Sequence, residues 1–185
     1  MDFQGLIREC RKNDKNAQQA LFELIKDKLA GICIRYSKNE QQATEILKET
    51  FLSIFENGKQ IPDEAAFEAW MKECLVDSAI KILQKNKQEY KIVSTAKAED
   101  VSVSSSTISD EEVIPLLVDE LVLKAMQELP PAYRVVVNMH LADGYSVKEI
   151  SEKLDIAEGT VKMNFEKAMH RFRKNIVQLT VSSRV

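Results

Sequence analysis

Between Gly144 and Lys174 the chain reads GYSVKEISEKLDIAEGTVKMNFEKAMHRFRK, and no other stretch limits the possible folds as tightly. Ser146 followed three residues later by Glu149 is a capping box, so a helix is expected to start at Val147. Val147, Ile150 and Leu154 then recur at helical spacing and give that short helix one apolar stripe. Asp155 stands at a turn, with Ile156 to pin it. A longer helix follows, with Val161, Phe165, Ala168 and Phe172 as its inward stripe. Thr160, Asn164, Lys167 and Arg171 are expected on one outer flank, and Lys162 and Arg173 on the other. This is the pattern of a helix-turn-helix: a rigidly anchored helix offers short polar groups near its start and cations further along. From Lys162 to Lys174 there are five basic residues against one acidic, Glu166, in a chain whose net charge is −3. Two amphipathic helices of an ordinary helical domain would show the same periodicity. The box, the short turn and the local positive charge together favour a DNA-reading motif.

Charged residues are abundant, and glycine, proline and aromatics are few, which predicts an all-α fold rather than a sandwich or barrel. With 185 residues there is room for one ordinary domain or two small ones. No apolar run approaches the roughly 20 residues that span a bilayer, so membrane insertion is not expected. MDFQGLIREC lacks a basic segment followed by an apolar core, so no secretory signal is expected either. Cys10, Cys33 and Cys74 are widely spaced, odd in number and on apolar helix faces, which fits reduced, buried thiols of a cytoplasmic protein. His140 and His170 share no ligand spacing with them, so neither a metal nor another cofactor is expected.

Taken in order, a short helix carries Leu6, Ile7 and Cys10 on one side. After a break at Asn13-Asp14, a long helix places Ala17, Leu21, Leu24, Lys28, Ile32 and Tyr36 along one face, with Ala20, Ile25 and Leu29 beside them. Asn39 and Gln42 form a second candidate capping box, opening a helix with Ala43, Ile46, Leu47, Thr50, Phe51, Ile54 and Phe55, which Asn57-Gly58 ends. Asp63 is placed to cap a further helix with Phe67, Trp70, Met71, Cys74, Ser78 and Ile82 inward, ending near Asn86. Residues 1–90 thus read as one compact helical domain. Residues 91–114 are serine-rich, and seven acidic residues against one lysine lie between Thr95 and Glu120. This is a flexible linker, either a plain tether or an acidic strand that competes with nucleic acid for a basic channel. Residues 115–185 form the second domain: a helix with Leu117, Leu121, Ala125 and Met126, a break at Pro130-Pro131, a helix from Ala132 to Leu141, and the helix-turn-helix.

The run LPPAYRVVVNMHLADGYSVKEISEKLDIAEGTVK resembles the C-terminal promoter-binding domain of bacterial RNA polymerase sigma factors of the extracytoplasmic-function (ECF) group. The matching positions are Leu129, Pro130, Arg134, Gly144, Tyr145, Ser146, Glu149, Ile150, Leu154, Gly159, Thr160, Val161 and Lys162. The first domain is similar to the family's other module at Asp14, Ala17, Leu21, Phe22, Arg35, Tyr36, Ala43, Glu49, Phe51, Phe67 and Trp70. Both modules stand in the family's order, and the likeness covers nearly the whole chain.

The resemblance implies a two-domain factor that binds core RNA polymerase, directs it to promoter DNA and is held by an anti-sigma factor. It places Glu158, Gly159, Thr160, Lys162, Asn164, Lys167 and Arg171 at the minus-35 element. It assigns the helix around residues 43–51 to the polymerase, with Glu45, Lys48, Glu49 and Phe51 as contacts. The loop from Lys59 to Phe67 and the helix after it are assigned to capture and melting of the minus-10 element, with Trp70, Lys72, Asp77, Lys81 and Lys85 as the candidate groups. Melting unstacks a base, which costs a few kcal/mol that stacking groups and cations must return. The chain departs from the family pattern at Lys48, at Asp77, where the family has asparagine, and at Gln84. In the last helix, Asn164 and Met169 stand where the family has arginines, Lys167 replaces a third, and Ala157 stands where a serine cap is usual. Met163 is placed to touch a thymine methyl, or is simply an exposed apolar side chain.

The leading expectation is a non-catalytic transcription initiation factor. The alternative is a diverged sigma-like protein that docks on polymerase or an anti-sigma factor without efficient promoter melting. A response-regulator activator would need alternating strands and helices in the first ninety residues. An enzyme would need a phosphate loop or a nucleophile–base constellation, and the sequence offers neither.

Overall fold

The computed structural model describes residues 2–85 and 120–182, and every regular element among them is helical. The linker expected over residues 91–114, the helix end near Asn86 and the position of Leu117 lie outside the described residues. The chain divides into two compact units, Met1–Ile82 and Leu83–Val185. Each is described on its own.

The first unit is built from α1 (Phe3–Arg11), α2 (Lys15–Tyr36), α3 (Glu40–Glu56), a 3-10 turn (Gly58–Gln60) and α4 (Glu64–Lys85), whose last three residues fall past the unit's boundary at Ile82. Each helix start has a local chemical cause. The Asp2, Asp14 and Asn39 side chains accept the backbone N–H groups of Gly5, Ala17 and Gln42, which quenches orphan donors of the first turn. Only one arm of the box expected at Asn39 has its usual form. The Gln42 side chain accepts from the Lys38 N–H at 2.8 Å, one residue before the cap. Asn13, in the left-handed region at φ 62°, turns the chain sharply between α1 and α2.

The buried stripe of α2 is Ala17, Leu21, Ile25, Leu29, Ile32, Cys33 and Tyr36. This corrects the expected face: Leu24 is 61 % exposed, and Lys28 points outward to pair with Glu68 at 2.8 Å. Leu24 sits about 100° around the helix from Ile25, and only one of two neighbouring stripes can face the core. In α3 the aromatic rings cluster, with Phe51 between Phe22 at 4.6 Å and Phe55 at 5.8 Å between centroids. Cys10 and Cys33 are buried, Cys74 is partly buried, and none is in a disulfide. Burial pushes the Cys33 thiol up to about 12.

The second unit holds α5 (Glu120–Gln127), α6 (Pro131–Val137), a π-helical turn (Asn138–Ala142), α7 (Val147–Leu154) and α8 (Glu158–Ser182). Pro131 is the first residue of α6, where its missing N–H costs nothing. The helix expected from Ala132 to Leu141 is α-helical only to Val137 and then widens into the π turn. Val122, Met126, Leu129, Tyr133, Val137 and Phe172 share one apolar core between α5, α6 and α8. Arg134, only 1 % exposed, is a buried charge inside this unit. Its Nε donates to the Met126 carbonyl at 3.1 Å, and its Nη2 donates to those of Gln127 and Leu129 at 2.9 and 2.7 Å. These carbonyls lie at and just beyond the C-terminal end of α5, where the helix dipole is negative, and Arg134 adds donors there to the Leu129 N–H that the Met126 carbonyl already accepts at 3.1 Å. Asn175 ties α8 to α5 in the same way, its Nδ2 donating to the Ala125 carbonyl at 3.1 Å.

Candidate nucleic-acid interface

In the second unit the site is built around the turn between α7 and α8. Gly144 enters it at φ 79°, a left-handed conformation that a side chain would strain although there is open space around the Cβ position. The Tyr145 N–H donates to the Met139 carbonyl at 2.9 Å, which anchors the entry to the π turn. Both arms of the capping box are formed: the Glu149 N–H donates to Ser146 Oγ at 3.3 Å, and the Ser146 N–H donates to Glu149 Oε2 at 2.8 Å. Hydrogen bonds from the Ser146 hydroxyl and then from its backbone hold the Glu149 carboxyl below its ordinary value.

The turn itself is locked twice. Asp155 takes the left-handed conformation at φ 53°, and the Ile156 N–H donates to the Ser151 carbonyl at 3.2 Å. The Ser151 hydroxyl in turn donates to the Ile156 carbonyl at 2.7 Å. α8 then starts with Ala157 as the residue before it. The Ala157 carbonyl receives the Thr160 and Val161 N–H groups at 2.9 and 3.1 Å, and its methyl has nothing to offer the exposed first turn.

The orientation of α8 corrects one of the expected groups. Asn164 is 4 % exposed and belongs to the inward stripe with Val161, Ala168, Phe172 and Asn175. Its Oδ1 is buried without a hydrogen-bond partner, so Asn164 does not face a nucleic acid. The expected stripe holds at Val161, Ala168 and Phe172, and Phe165 is half-buried against the same core, its ring edge-on to His140 at 4.9 Å; the buried face is wider than expected and takes in Asn164 as well. Thr160 and Lys167 are half-buried at the margins; Glu158, Gly159, Lys162 and Arg171 are exposed. The centre of the outward face is occupied by Met163 (40 % exposed), Glu166, His170 and Lys174.

In the first unit the expected groups divide between faces. On α4, Trp70, Asp77, Lys81 and Lys85 recur at i, i+7, i+11 and i+15, along one side. Lys72 is on the far side: its charge acts on Glu68, whose partner is Lys28 of α2. Lys72 therefore does not join Trp70 as expected. Trp70 is half-buried against Phe67, ring centroids 6.2 Å apart, and Phe67 meets Phe3 edge-on at 5.2 Å. Lys81 is ion-paired with Glu49 of α3, which raises the Lys81 ammonium above its ordinary value.

On α3, Glu45 and Lys48 are exposed and Glu49 is half-buried. Phe51 is not available to a partner, because it is the middle ring of the aromatic cluster. The apolar side chain on the exposed face is Leu52, 57 % exposed and seven residues from Glu45. Phe51 is expected there because it matches a family position, and the sequence holds no signal for which neighbour, Phe51 or Leu52, faces outward.

Residues 119–172 match the family described as Sigma-70, region 4, which contains α5 through most of α8. Over 179 residues the chain is 26 % identical to the ECF RNA polymerase sigma factor SigW of Bacillus subtilis, covering 94 % of this chain and 96 % of that one. It is 22 % identical over 183 residues to the ECF RNA polymerase sigma-E factor of Haemophilus influenzae, with 95 % and 96 % covered. Against the ECF RNA polymerase sigma factor SigL of Mycobacterium tuberculosis it is 26 % identical over 171 residues, covering 90 % and 94 %. Residues 119–172 thus match sigma-70 region 4, and the chain as a whole is similar, nearly end to end, to named ECF RNA polymerase sigma factors.

Proposed function

We propose that this chain is a transcription initiation factor that binds core RNA polymerase and directs it to promoters, with the second unit reading the minus-35 element and the first capturing the minus-10 element. The observation that carries this reading is full-length alignment with named ECF sigma factors on a fold whose helix-turn-helix is locked at both ends. In this reading Glu158, Gly159, Lys162, Arg171 and the flanking Thr160 and Lys167 approach the minus-35 duplex, joined by Met163, His170 and Lys174. Trp70, Asp77, Lys81 and Lys85 line the side of α4 that meets the melted strand. Glu45, Lys48 and Leu52 form the polymerase-facing side of α3, with Glu49 at its margin. The chain acts in the cytoplasm, where the polymerase is. None of the described helices is long and apolar enough to cross a membrane. An anti-sigma factor regulates it by covering the α3 or α8 face, and the reaction chemistry belongs to the polymerase, so the chain needs no cofactor.

One observation favours the second reading, a diverged protein that docks without melting. Lys81, a cation expected on DNA, is engaged by Glu49, and Asp77 puts a carboxylate on the same side of α4. Permanganate footprinting separates the two. Reactive thymines in the minus-10 region of a promoter bound by the reconstituted holoenzyme are expected; a stable polymerase complex with no reactive thymine would leave the docking reading in place.

A further inference from the structure

Arg11, in the last turn of α1, reaches the loop between α3 and α4, fifty residues away in sequence. Its Nε donates to the Ile61 carbonyl at 2.7 Å, and its Nη2 donates to Asp63 Oδ1, also at 2.7 Å. The turn that follows α1 grips the other end of the same loop. A Cβ at Gly58 would lie 3.3 Å from both the Cys10 carbonyl oxygen and Asn13 Oδ1, so the loop approaches this turn as closely as a glycine permits. Between these two holds the loop makes tight bonds of its own, the Gln60 N–H to the Asn57 carbonyl at 2.7 Å and the Ile61 N–H to the Gly58 carbonyl at 3.2 Å. The Ile61 side chain is buried beneath it.

A guanidinium engages a carbonyl and a carboxylate through different nitrogens of one rigid plane, which the single ammonium of a lysine cannot reproduce. A loop held in this way is ordered before any ligand arrives, so binding carries no further cost of fixing its backbone. We propose that Arg11 is a positioning residue for promoter opening: from α1, it fixes the loop Lys59–Asp63 in the shape that takes the minus-10 strand, without contacting DNA. This rests on the proposed reading in which the first unit captures the minus-10 element, with the loop assigned to that capture by the resemblance to sigma factors. An exposed ion pair contributes little to global stability. The consequence of losing Arg11 is therefore local to the loop.

The test compares the wild-type chain with Arg11→Ala, Arg11→Lys and Gly58→Ala in two measurements. Hydrogen–deuterium exchange of the free protein reads the loop at the Gln60 and Ile61 amides. Permanganate reactivity of the holoenzyme on a promoter reads opening, with affinity for core polymerase measured alongside. For Arg11→Ala, exchange at those amides is expected to rise and opening to fall by about tenfold, the scale of one lost charge-assisted hydrogen bond. The affinity for core polymerase and the melting temperature are expected to stay near wild type. Arg11→Lys should fall between the two, and Gly58→Ala should resemble Arg11→Ala. Unchanged exchange overturns the clamp, and faster exchange with undiminished opening overturns its role. A parallel loss of polymerase affinity or global stability makes Arg11 merely structural, which also overturns it. If the wild-type holoenzyme leaves every thymine unreactive, the assignment of the loop to promoter opening fails, whereas the exchange data still show whether the clamp exists.

Discussion

Replacing Asn164 by leucine separates a structural group from a reading group. The Asn164 amide is buried with an oxygen that meets no donor, and such a group costs about 1–3 kcal/mol in desolvation. Asn164→Leu should therefore raise stability by roughly 1 kcal/mol in thermal unfolding and leave the base preference of DNA binding unaltered. A changed preference would return Asn164 to the interface. Arg134 is the opposite case, a buried charge fully used by the end of α5. Arg134→Met would remove three donated hydrogen bonds from the end of α5, the one to the buried Leu129 carbonyl included, and a loss of roughly 3 kcal/mol in denaturant unfolding is expected. A near-neutral result would mean that water takes over the cap.

Adjacent residues of one helix meet different surroundings, as Phe51 and Leu52 of α3 do. Phe51→Ala should cost about 3–5 kcal/mol of stability, because it empties the centre of an aromatic cluster. Leu52→Asp should leave the melting temperature almost unchanged and weaken the complex with core polymerase, as read by a competition titration. Helix α7 carries a pH signature. The folded chain lowers the affinity of Glu149 for its proton, so the box stabilises the helix above the ordinary glutamate range and this is lost as pH falls through the depressed value. The difference in melting temperature between wild type and Ser146→Ala should be constant near neutral pH and shrink in acid; a difference that grows in acid would contradict the box. The capping box at Ser146, the single-armed cap at Asn39 and the proline start of α6 were legible in the sequence because their causes lie within four residues. The burial of Asn164, the swap of Phe51 for Leu52 and the placing of Lys72 were not. A helical wheel leaves neighbouring stripes nearly equivalent until tertiary packing selects one. The roles of Arg134 and Arg11 were hidden for a related reason: a charged residue reads as solvated, and nothing local points to carbonyls on another element.

For the molecule as a whole, the slight net negative charge opposes binding to a polyanion, so affinity must come from a local patch. Lys162, Arg171 and Lys174 supply it on the exposed side of α8. Binding of the minus-35 duplex should weaken with salt by a log–log slope of about −0.9 per neutralised phosphate, and Arg171→Ala should reduce the slope by about one such step. An unchanged slope removes Arg171 from the footprint. The all-α fold class was legible from composition and periodicity alone, and the likeness to sigma factors from the residues around the helix-turn-helix. The most direct test of the initiation reading is reconstituted transcription on genomic DNA with the purified chain and core polymerase, with RNA 5′ ends mapped. The account predicts a discrete set of start sites that appears only when the chain is present. Start sites identical with and without it, or no complex with core polymerase at low ionic strength, would contradict the account.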